Sequence, residues 1–144
     1  MSGLWKNWMR VWCWATLAFG GVLAAAAVPA LEGPTLGFYD LVTWPIDGAP
    51  ATFDPIARFT CGVLGAVMIG WALTIFALLP VADARAWRSF TGAMMIWYVI
   101  DSTVSVTAGA PGNAVSNTVF LALFLIPVLA SGVLSDRGAQ MRAA

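Results

Sequence analysis

The sequence predicts an all-α polytopic membrane protein: an antiparallel bundle of four transmembrane helices with one long outer loop. Three observations carry that prediction. Of 144 residues, 60% are hydrophobic and only 10% charged, against about 25% charged in a soluble domain. A chain this short cannot hide so much apolar surface in its own interior, so lipid must be its main solvent. Stretches of the roughly 20 apolar residues that a helix needs to cross hydrocarbon recur, and Lys and Arg gather at alternate connections. With no linker long enough to separate domains, residues 1–144 read as one membrane domain.

The first span covers about 10–30, "RVWCWATLAFGGVLAAAAVPA". A basic start, an apolar run and "AAAVPA" also resemble a signal peptide. The run is long for one and rich in tryptophan, which favours a retained span. The outer loop, 31–55, carries Glu32, Asp40, Asp47 and Asp54 between Pro34, Pro45, Pro50 and Pro55. Within it, "TLGFYDLVTW" is apolar enough for a short surface helix, with Phe38, Tyr39 and Trp44 suited to headgroups. This loop is expected to act as a lid over the outer end, with a docking surface or gate as the alternative. The second span covers about 56–79, the third about 87–108, and the fourth about 113–134, where Pro127 should kink the helix.

Orientation follows from the basic residues. Lys6 and Arg10 precede the first span, Arg85 and Arg88 join the second to the third, and Arg137 and Arg142 follow the fourth. With four spans all of these lie on one side, leaving Arg58 on the other. Both termini are therefore expected in the cytoplasm. Trp5, Trp8, Trp12 and Trp87 suit the cytoplasmic interface, while Trp14, Trp71 and Trp97 lie deeper and are expected to pack against helices or lipid.

Small residues let membrane helices approach closely. Gly62, Ala66 and Gly70 recur every four residues in the second span and are expected to form its packing stripe, with Arg58 one turn earlier. The first span offers Gly20 with Ala24, or Gly21 with Ala25. The third contains the one acid expected inside the membrane, in "WYVIDSTVSV". Asp101 falls about 12 Å below the outer end of its helix, and Arg58 about 3 to 5 Å below the same surface. An Arg58–Asp101 pair is expected. Tyr98 and Ser105 share a face with Asp101, and the short "GAPGN" turn brings Asn113, Ser116 and Asn117 to the same level.

There is no histidine, which removes the commonest metal ligand and general base. Cys13 and Cys61 fall at opposite membrane faces, so neither a disulfide nor a metal site is expected from them. No cofactor is expected, and the balanced charge, seven basic against seven acidic residues, gives no basic excess for nucleic acid. "FDPIARFTCGVLGAVMIGW", "WYVIDS" and "NAVSNT" together resemble the layout of small four-helix bacterial membrane proteins, DoxX-like families among them. That resemblance implies an inner-membrane protein and carries over no active residue. The function expected is a non-enzymatic accessory or structural component of a membrane complex, with lipid and other subunits, or further copies of itself, as partners. The alternative is a small proton- or cation-coupled transporter or channel in which Asp101 binds the ion and Ser105 and Asn117 line the route. An enzyme acting on a lipid or quinone would have to draw on Asp101, Tyr98 and Ser105.

Overall fold

A computed structural model describes residues 1–43 and 52–135. All regular structure among them is helical: α1 (Gly3–Ala25), α2 (Gly33–Val42), α3 (Pro55–Leu78), α4 (Ala84–Thr107) and α5 (Pro111–Ala130). A single 3-10 turn, Pro29–Leu31, lies between α1 and α2. Trp44, Pro45, Asp47 and Pro50 of the outer loop, and Arg137 and Arg142 near the C-terminus, lie outside the described residues.

Local chemistry sets the boundaries. Asp54 caps α3 by accepting the Ala57 N–H at 2.7 Å, and Asp83 caps α4 by accepting the Ala86 N–H at 2.8 Å. Pro55 and Pro111 occupy first-turn positions, where a missing N–H costs nothing. α4 stops at Gly109, whose φ of 81° lets Ala110 N–H turn back to the Ser105 carbonyl at 2.9 Å. α1 starts seven residues before the expected span and ends five before it, since 10 − 3 = 7 and 30 − 25 = 5. Polar Lys6, Asn7 and Arg10 extend the helix beyond the apolar run, while Pro29 cannot continue it.

The four long helices alternate in direction. Trp8 and Trp12, early in α1, bond to Leu123 and Phe120, late in α5. Gly20 of α1 meets Gly65 of α3, whereas Trp14, earlier in α1, meets Phe76, later in α3. Asn113 and Asn117, early in α5, reach Ser105 and Ser102 in the second half of α4. The main packing runs α3 on α1, α1 on α5 and α5 on α4, and α3 meets α4 through Trp71 and Trp97. α2 closes the end where α1 finishes and α5 begins. Its Thr35 hydroxyl donates to the Val22 carbonyl at 3.1 Å, and Phe38 meets Phe19.

The core has two layers. An apolar layer joins Met9, Cys13, Ile75, Leu79, Trp87, Met94 and Val128 near the end bearing Lys6, Arg85 and Arg88. Next to it stands an aromatic layer drawn from all four long helices: Trp12, Trp71, Trp97, Phe120 and Phe124, linked by ring contacts of 4.5 to 6.3 Å. The outward surface is apolar too, with Val11, Val67, Ile96, Val99 and Val119 each more than half exposed, as lipid contact demands and water does not tolerate. α1, α3 and α5 are long and apolar enough to cross a membrane. α4 matches α3 in length at 24 residues. Arg85, Arg88, Asp101 and a run of hydroxyl residues leave it short of the same measure of apolarity.

The packing stripe differs from the one expected. Gly65, rather than Ala66 or Gly70, makes the close approach: a methyl there would strike the Gly20 carbonyl and the Ala24 backbone. A methyl on Gly62 would meet Ala27 at 3.2 Å, whereas Gly70 faces open space and Ala66 is exposed. The buried positions of α3, with Leu79 just beyond it, are Gly65, Ala72, Ile75 and Leu79. That is the alternating three-and-four spacing of antiparallel helices packed side by side, not a strict four.

Candidate functional site

Half a turn to one turn beyond the aromatic layer, polar side chains gather between α4 and α5. Their backbone positions follow from the same spacing. Trp87, Met94, Tyr98, Asp101 and Ser105 recur at intervals of three, four and seven along α4, so one row turns its apolar start toward the core and its polar end toward α5. The Asn113 side-chain amide donates to Ser105 Oγ at 2.8 Å, and that of Asn117 donates to Ser102 Oγ at 3.3 Å. Ser105 and Asn117 are 7% and 6% exposed. Ser116 spends its hydroxyl on the Gly112 carbonyl within its own helix. These bonds zip α4 to α5 in a setting where every buried polar group needs a partner.

Asp101 is the exception. Ser105 Oγ donates to the Asp101 main-chain carbonyl at 2.7 Å and lies 3.4 Å from Asp101 Oδ1. A hydroxyl has one proton, and the shorter bond takes it. The carboxylate, half-buried on α4, is left with that marginal contact alone among the described residues.

The expected Arg58–Asp101 pair does not form. Arg58 Nε donates instead to Glu32 Oε2 at 2.7 Å, tying the start of α3 to the residue before α2. Two physical reasons account for this. α3 packs mainly on α1 and α4 mainly on α5, and α3 and α4 meet through Trp71 and Trp97 in the aromatic layer. Glu32 also keeps 15% of its side chain exposed and Arg58 25%, so this pair suffers less desolvation than one wholly inside the bundle would. Tyr98 likewise bonds elsewhere, its hydroxyl sharing a hydrogen with Thr118 Oγ1 at 2.9 Å.

Of the residues expected at one polar centre, the structure brings together Asp101, Ser105, Asn113 and Asn117, sets Tyr98 a turn away and removes Arg58. Sequence reasoning missed Glu32 as the partner of Arg58, although the "LEGP" turn placed an acid at the same level. Cys13 and Cys61 are free thiols. The deep tryptophans pack on helices: Trp71 and Trp97 in the aromatic layer, Trp14 against Phe76. No family model matches this chain, and no curated protein or solved structure shows a significant match to it.

Proposed function

We propose that this chain is a four-span, non-enzymatic component of a larger membrane assembly, with both termini in the cytoplasm, and that Asp101 is where a partner subunit engages it. The observation that carries the reading is the Asp101 carboxylate, half-buried in the second half of α4 and lacking a donor of its own. A charge at membrane depth costs about 2.5 to 3.5 kcal/mol or more. A donor or cation from a neighbouring helix offsets that cost. Treating α4 as a span is supported by its exposed face, where Ile96, Val99, Ile100, Val104 and Val106 point outward while the polar row turns to α5. Its outward threonines are consistent with lipid as well, since Thr103 and Thr107 bond to the carbonyls four residues back.

A conducting path through one chain is disfavoured by the core. Below the polar cluster the aromatic layer closes the bundle, and the layer beyond it is apolar throughout. Native mass spectrometry of protein extracted gently from its own membranes tests the proposal. The expected result is a defined complex with another membrane protein, whose yield falls about tenfold in Asp101→Asn, as losing a charged hydrogen bond implies. Release of the wild-type chain as a lone monomer or a homo-oligomer would overturn it.

A further inference from the structure

We propose that the outer end of the molecule binds an organic ammonium group in the cavity between α2 and α3. The cavity has a volume of about 400 Å³ and is lined by Tyr39, Phe53, Asp54, Thr60 and Cys61. Two of its walls are aromatic. Tyr39 and Phe53 stand edge to face, centroids 6.1 Å apart and planes at 86°, so two rings in different orientations border the space. Aromatic faces attract cations, most strongly those that shed water easily.

The charge around the cavity has the matching sign. Among the described residues, this end carries Glu32, Asp40 and Asp54 against Arg58, and Arg58 is already held by Glu32. Arg58 also feels Asp54, but three acids against one base leave this end negative. Asp54 uses Oδ1 to cap α3; Oδ2 makes no bond among the described residues and is the natural counter-charge for a cation beside the rings. A metal ion fits less well. No group of three or more metal-ligating side chains occurs among the described residues, and a compact, strongly hydrated ion gains little from rings. An amine with a carbon skeleton uses both the rings and the carboxylate.

Two sources could supply such a group: the headgroup of a phosphatidylethanolamine, or a small free amine. The position favours the lipid, because the exposed side of α3 continues from the cavity as Val63, Leu64 and Val67, a surface suited to an acyl chain. This site is separate from Asp101 and does not depend on what Asp101 binds.

The test uses the full chain in detergent micelles, read by native mass spectrometry and thermal unfolding. Phosphatidylethanolamine, phosphatidylglycerol, free ethanolamine and tetramethylammonium are added separately. The expected result is retention of phosphatidylethanolamine over phosphatidylglycerol, weakened about fivefold in Asp54→Asn and in Tyr39→Leu. Asparagine caps helices as well as aspartate does, so Asp54→Asn removes the charge without removing the cap. Stabilisation by free ethanolamine or tetramethylammonium, lost in the same variants, would instead identify a soluble amine as the occupant. Equal retention of both phospholipids with no response to either amine would overturn the proposal, as would unchanged binding in folded Asp54→Asn.

Discussion

Trp8 shows how one side chain repairs a fault that the sequence builds into another helix. Pro127 has no N–H, so the Leu123 carbonyl four residues earlier loses its helical donor. In lipid that oxygen has no water to turn to. The Trp8 indole N–H, reaching across from α1, donates to it at 3.0 Å. The helix accordingly runs on past Pro127 to Ala130. Trp8→Phe should therefore destabilise the protein by about 1 kcal/mol, as far as interhelical hydrogen bonds in membranes go. Placed in a Pro127→Ala background, where the helix supplies its own N–H, the same substitution should cost less than half as much. Unfolding in denaturing detergent, followed by far-ultraviolet circular dichroism, measures both; equal penalties in the two backgrounds would refute the repair. From the sequence, Trp8 read as an interfacial anchor and Pro127 as a kink. Their connection depends on the register between segments 115 residues apart, which no local pattern encodes.

Among the helices, α3 separates what periodicity can and cannot reveal. Its small residues announced a close approach, and one occurs, but the face that makes it is set by Gly65 and the opposing Gly20 and Ala24. Several glycines at similar spacing leave the choice of face open, and only the neighbouring helix decides it. The ends differ: Asp54, Pro55, Asp83 and Pro111 mark helix starts through local chemistry, one to three residues before the apolar runs at 56, 87 and 113 that hydropathy picks out, while the short helix inside the outer loop was legible. The polar cluster was half legible. Asn113, Asn117 and Ser105 converge because a short turn forces α4 and α5 together, whereas judging Arg58 against Asp101 required knowing that α3 packs mainly on α1 and α4 mainly on α5. Two substitutions separate the faces of α3. Gly65→Leu should force α1 and α3 apart and yield an aggregated or unfolded protein on size-exclusion chromatography. Gly70→Leu, which adds its side chain to open space, should elute as the wild type. A folded Gly65→Leu variant would show that the crossing is not where the structure puts it.

For the molecule as a whole, the charge pattern and the helix directions sort the basic residues to the same two ends by independent routes. The alternating helices put Lys6 and Arg10 of α1 at the same end as Arg85 and Arg88 of α4, while Arg58, with Glu32 and Asp54, lies at the other. Basic residues are retained on the cytoplasmic side, which is the ground for proposing that the first end faces inward. The weak point is α4, which is long enough to span at 24 residues, about 36 Å, yet too polar along its length to qualify on composition. Asp101 apart, the polar side chains in its second half are compatible with lipid because they bond to α5 or to their own helix. Spanning by α4 should therefore depend on α5 being beside it. Single-cysteine labelling with a membrane-impermeant maleimide tests this, in a background carrying Cys13→Ala and Cys61→Ser. Ala82→Cys, just before α4, should react only after the membrane is opened, and Ala110→Cys, just beyond it, should react in intact cells. Breaking the zipper with Asn113→Leu and Asn117→Leu should then expose part of the chains to the opposite pattern at Ala110→Cys. If both ends of α4 label from the same side in the unaltered protein, α4 does not span, and the assignment of both termini to one compartment goes with it.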